Sequence, residues 1–216
     1  MSTVALEGRE LERRRGAWDA LSFLFLDAEV RDWLPGAAVT LVELGYSREE
    51  IEGIFLDEVT PVLHGNLKQV AGLWSGFDLD WLASEIKKRK PAPAPRSFGR
   101  LRRLLYRMRA WPATDEFDAL LMLFDDARSQ PMEQRRPRAR ALSVLVACFF
   151  ERVSDSSRDR HIEELAKSEY SEAELRELAQ DLYRIFGPLR VRALDGGESV
   201  GRAQVDALLA AVAKAK

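Results

Sequence analysis

Gly45-Tyr-Ser-Arg-Glu-Glu-Ile-Glu-Gly-Ile-Phe-Leu-Asp-Glu-Val59 holds a stop, a start and a buried face within fifteen residues. Gly45 suits the left-handed conformation that closes a helix. Ser47 and Glu50 stand three apart, the spacing of a capping box. The serine oxygen accepts from a free helix amide, and the glutamate reaches back to the serine amide. Ile51, Ile54, Phe55 and Val59 then recur at spacings of three and four, which puts them on one face of a helix. The stretch therefore predicts a short helix over 37–44, a glycine stop and a new helix from Arg48. Ser171-Glu-Ala-Glu174 repeats the capping box in the second half of the chain.

The same signals extend outward in both directions. Trp18, Leu21, Leu24, Phe25 and Leu26 give the segment 13–26 one broad apolar face. Pro35-Gly36 reads as a break, and Pro61 is expected to end or kink the helix begun at Arg48. Asp78 is the expected N-cap of a helix carrying Trp81, Leu82 and Ile86. Further on, Phe98, Leu101, Leu105 and Met108 form a stripe. Thr114-Asp-Glu116 starts a helix with acids in its first turn, where the helix dipole favours them. Pro131 and Pro137 are expected to bracket an arginine-rich loop before an apolar helix over 139–153. Gly187-Pro188 reads as a helix stop. Leu189 to Leu194 alternates briefly and reads as a loop or small hairpin. An alanine-rich helix over 205–213 follows. The expected class is all-α.

Pro91-Ala-Pro-Ala-Pro95 sets the expected domain boundary, because three prolines in five residues make a short stiff spacer. The division is an acidic helical domain over 1–90, a spacer over 91–95 and a basic-to-neutral helical domain over 96–216. Residues 1–90 hold 11 basic and 16 acidic side chains, and residues 91–216 hold 22 and 19. The halves also share short matches. Ala20-Leu-Ser-Phe-Leu24 parallels Ala141-Leu-Ser-Val-Leu145, and Tyr46-Ser47 parallels Tyr170-Ser171, so an internal duplication is one reading.

The composition is that of a globular chain: 216 residues, 46% hydrophobic and 31% charged. Cys148 is the sole cysteine and lies in an apolar run, so it is expected to be a buried, inert thiol. The N-terminus lacks a basic segment followed by an apolar one, and no stretch approaches the length of a membrane span. The expected location is the cytoplasm.

Gly45-Tyr-Ser-Arg-Glu-Glu50, Asp57-Glu-Val-Thr-Pro-Val-Leu63, Asn66-Leu67, Val70-Ala-Gly72, Trp74 and Gly76-Phe-Asp78 with Trp81 make a long pattern. It resembles a family of uncharacterised bacterial domains of unknown function over roughly residues 18–86. The resemblance implies a bacterial source and carries no activity with it. Nothing in the second half is recognised.

Several chemistries lack their residues. His64 and His161 are the only histidines, and no HExxH pattern, glycine-rich phosphate loop or nucleophile elbow is present. His161 and Glu164 share a helical spacing that could hold a metal, but a solvated helix start explains them. The carboxylates fall in helix first turns or on polar faces, where capping and solubility account for them. No catalytic residue, cofactor or metal is expected, and the chain is expected not to be an enzyme.

Two clusters remain. Trp74, Phe77 and Trp81, with Asp78 and the acids Glu49, Glu52 and Asp57, resemble the aromatic anchors and charged surroundings of protein interfaces. The expected function is binding another protein, in one version as an immunity or antitoxin-like factor that covers the basic cleft of a toxic enzyme. The second cluster is the basic segment with Arg100, Arg102, Arg103 and Arg107, followed by Arg135 and Arg136. It supports an alternative, a nucleic-acid-associated regulator gripping phosphates. A third reading is a small-ligand binder or unusual enzyme with a pocket near Trp74 and Trp81.

Overall fold

A computed structural model describes residues 8–26, 30–65, 76–89, 113–150, 154–193 and 202–216. All of them lie in helices, turns and connecting segments, with no strand among them. The fold is all-α. The helices are α1 (Gly8–Ser22), α2 (Leu34–Glu43), α3 (Arg48–Ile54), α4 (Thr60–Leu63) and α5 (Leu79–Lys88), then α6 (Ala113–Ser129), α7 (Met132–Phe150), α8 (Asp155–Ala166), α9 (Glu172–Ala193) and α10 (Arg202–Ala215). Short 3-10 turns cover Phe23–Phe25 and Arg31–Trp33, and a π-turn, Phe55–Val59, joins α3 to α4.

The local stop and start signals act as read. Gly45 has φ +74°, and the amides of Gly45 and Tyr46 close back onto the carbonyls of Val42 and Leu41. A side chain at that φ would be strained. The Ser47 oxygen accepts from the Glu50 amide while the Glu50 carboxylate accepts from the Ser47 amide. The same reciprocal pair joins Ser171 to Glu174. Asp78 caps α5 by accepting from the Trp81 amide at 2.7 Å.

The prolines behave differently from expectation. Pro35 lies in the first turn of α2, so Pro35-Gly36 opens that helix instead of breaking it. A first-turn amide has no helical acceptor, so proline loses nothing there. Pro137 is inside α7, and the expected arginine-rich loop is the first turns of that helix. The Gly187-Pro188 stop also fails: α9 continues to Ala193, so 189–193 is helical and not a loop or hairpin. An interior proline costs a hydrogen bond and crowds the preceding turn, about 3 kcal/mol. In α7 the burial of Leu142, Val144, Leu145 and Val146 outweighs that cost.

The chain forms two compact units. The first comprises 1–30 and 40–124, and the second 31–39 and 125–216. The grouping differs from a division at Pro91–Pro95, a segment that lies outside the described residues together with the stripe from Phe98 to Met108. The core of the first unit is aromatic. Phe55 stacks on Phe117 with ring centroids 3.8 Å apart and lies 5.6 Å from Phe25. Trp18, Leu21, Ile51, Ile54, Leu120 and Phe124 are buried in the same unit. Gly16 allows α1 to approach Leu44, whose side chain would meet an added Cβ at 3.1 Å. In the second unit α7 packs against α8, α9 and the turn Arg31–Trp33, while α10 packs against α8 and α9. Its core holds Leu145, Val146, Leu178, Leu182 and Phe186.

Candidate functional site

The expected protein-binding residues do not form one continuous group. Trp74 lies outside the described residues. Phe77 and Trp81 do come together, with ring centroids 6.5 Å apart and planes at 18°. Trp81 is 47% exposed while Leu82, Ala83 and Ile86 of the same helix are buried. The aromatic pair therefore stands out from a well-anchored helix and does not line an enclosed space. Asp78 is committed to capping that helix, and Asp80 pairs with Arg15 at 2.5 Å. Glu49 is exposed on α3, Glu52 pairs with Arg48 at 3.8 Å, and Asp57 is half-buried in the π-turn.

The charge asymmetry depends on where the chain is divided. The first compact unit carries 16 basic and 18 acidic side chains, and the second carries 17 of each. The acidic character read over 1–90 thus belongs to a cut at the spacer and not to the unit that folds. The arginine cluster is also altered. Arg100, Arg102, Arg103 and Arg107 lie outside the described residues. Arg135 donates to the Gln130 carbonyl, Arg138 is held between Asp126 and Asp181, and Arg140 pairs with Glu164. Arg136 is exposed on α7 and also has an interaction partner.

The histidines and the thiol fill structural places. His64 ends α4 with Nδ1 3.1 Å from the Thr60 carbonyl. His161 lies within α8, and Glu164, three residues on, is occupied by Arg140. Among the described residues no group of three or more His, Cys, Asp or Glu side chains could hold a metal ion. Burial pushes the Cys148 thiol up to about 11, so it is protonated at neutral pH and a poor nucleophile.

The group that sequence reasoning missed is Glu58. In the π-turn the Thr60 amide bonds to the Phe55 carbonyl, five residues back. This wider turn falls just before Pro61, which has no N–H to continue an α-type ladder, and the helix passes through to Leu63 instead of ending. The turn carries Glu58 onto α1. There the Trp18 indole donates to its carboxylate at 2.6 Å, and Arg14 approaches to 3.7 Å. Tyr46, only 4% exposed, lies under Arg13, whose guanidinium is 4.2 Å from the ring centroid. The Tyr46 hydroxyl and Arg14 Nε find no hydrogen-bond partner among the described residues. Burial pushes the Glu58 carboxyl above its ordinary value, against the pull of Arg14 and the Trp18 bond. Contact with a tryptophan forty positions away leaves no local signal in the sequence.

That shift fixes a pH dependence. A carboxyl whose folded pKa is raised contributes stability below its unfolded value, near 4.5, and loses it as the pH rises through the folded value. Glu58→Gln keeps an acceptor for Trp18 and removes the charge. It is expected to be at least as stable as the parent at neutral pH, and the gain should shrink toward pH 4.5. Thermal melts of both proteins across that range check it; a variant destabilised equally at every pH contradicts the assignment.

Residues 12–123 match the family model for a domain of unknown function (DUF7079). The match covers more than half of the chain, and the chain belongs to that family. It extends beyond the 18–86 expected from the resemblance and ends one residue before the close of the first compact unit. No curated protein and no solved structure matches the chain.

Proposed function

We propose that this DUF7079 protein works by binding another protein through the Trp81–Phe77 pair on α5. The observation that carries the reading is Trp81, 47% exposed and stacked on Phe77 while the opposite face of its helix is buried. Leaving a large ring half in water forgoes burial worth about 25 cal/mol per Å². Exposed aromatics with a polar rim are characteristic anchors of interfaces. Asp80, Arg15 and Lys88 supply such a rim.

The narrower version, an immunity-like factor covering a basic cleft, draws on the exposed Glu49 and on little else, because the first unit is close to neutral. No described helix is long and apolar enough to cross a membrane.

The test compares the tagged protein with its Trp81→Ser variant, both expressed in the native cells. One partner at stoichiometric level is expected with the parent. The variant should bind it at least ~30-fold more weakly, the effect of losing an anchor residue worth 2 kcal/mol or more. The thermal unfolding of the two proteins should coincide. Equal recovery of the partner by both proteins, or no stoichiometric partner with either, defeats the proposal.

A further inference from the structure

A groove of about 730 Å³ lies in the second unit, between α7 and α8 and the turn leading to α9. Its volume falls within the range of small-ligand sites. Ala141, Val144 and Leu165 are buried beneath it and give it an apolar floor. Its walls carry charges of both signs, and most of these answer one another. Arg140 pairs with Glu164, and Lys167 with Glu163 at 3.6 Å. Glu174 accepts from both the amide and the hydroxyl of Ser171.

Two charges are left over. Arg160 on α8 and Glu169 in the following turn both line the groove, both are exposed, and neither has a hydrogen bond or ion pair among the described residues. Arg160 stands six residues before the end of α8, a helical rise of about 9 Å, and Glu169 lies in the turn beyond that end, so the two residues are set roughly 10–15 Å apart along the backbone. Four extended residues span about 13 Å.

We propose that this groove binds a short peptide with free ends, its carboxylate on Arg160 and its ammonium on Glu169. A guanidinium can hold a carboxylate through two parallel hydrogen bonds. A free ammonium is the natural partner of an unpaired carboxylate, and the apolar floor accepts small side chains between them. An anion alone would leave Glu169 unanswered and would face the neighbouring acids. A cation alone would leave Arg160 unanswered. A ligand charged at both ends satisfies both. The inference concerns the second unit and stands independently of the α5 surface.

The test titrates the full chain with unblocked tetra-alanine, followed by NMR shifts of the groove residues. Saturable binding with a millimolar or tighter Kd is expected. The acetylated, amidated peptide should bind at least ~10-fold more weakly, the factor that 1.4 kcal/mol represents. Arg160→Glu and Glu169→Lys should each abolish binding. The double reversal should restore it, because the peptide can turn end for end. Both positions are exposed, so the variants should keep the parent's circular dichroism; Arg160→Gln and Glu169→Gln replace any variant that does not. No saturation with the parent, equal affinity for the blocked peptide, or indifference to the charge reversals would overturn the proposal.

Discussion

Phe55→Ala is expected to lower the stability of the first unit by about 3–5 kcal/mol, the usual cost of removing a large buried aromatic. Phe55 is fully buried, and its ring stacks on Phe117 and is approached by Phe25. Truncation loses the transfer energy of the ring and leaves a cavity beside two rings that belong to different elements. The lost ring contacts add about 0.5–1.5 kcal/mol to what burial alone predicts. Phe55→Leu keeps most of the volume and should cost clearly less. Urea unfolding followed by tryptophan fluorescence measures both, since Trp18 is buried in the same unit. A loss below about 1 kcal/mol for the alanine variant would mean that the site collapses freely, contrary to a packed core.

Arg138→Met carries the second large effect, in the other unit. Arg138 donates to both oxygens of Asp126 at 2.8 Å and to Asp181 at 2.9 Å. One guanidinium thereby ties α6, α7 and α9 together within the second unit. Its removal takes from Asp126 and Asp181 the cation that they share. Breaking a fully buried pair costs about 3–5 kcal/mol, and partial solvent access here lowers the expectation to about 2–3 kcal/mol. Arg184, which also reaches Asp181, moderates but does not replace the lost contact. Adding Asp126→Leu and Asp181→Leu to the Arg138 variant should recover most of the loss, because no buried charge then remains. If the triple variant is no more stable than the single one, the cost lies in packing and not in uncompensated charge.

The parts of the fold that were legible in the sequence are those set by neighbours a few residues apart. Ser47, Asp78 and Ser171 cap helices because their partners stand three residues on, and Gly45 stops a helix through its own backbone freedom. The prolines depart from the local rules for the converse reason. Local rules count the hydrogen bond lost at Pro137 or Pro188 and cannot weigh it against the packing of the whole helix. The compact units group the chain differently from a cut at Pro91–Pro95 on similar grounds. Phe117, Leu120 and Phe124 follow the proline-rich segment in sequence, yet belong with Phe55 and Ile51 in space. Of the candidate site, the clustering of Phe77 and Trp81 is visible as closeness in the sequence. Glu58 was hidden, because its burial depends on an indole supplied by another helix.

The π-turn at Phe55–Val59 has a genealogical consequence. It accommodates one residue more than regular α-helical winding, so its loss in a relative would show as a single-position gap. Such a deletion would return the segment to regular α-helical winding and remove the wider turn that carries Glu58 onto α1. Glu58 would leave the Trp18 indole, and the indole would lose its acceptor. Family members should therefore inherit the extra position, the acid and the tryptophan as one package or lack all three.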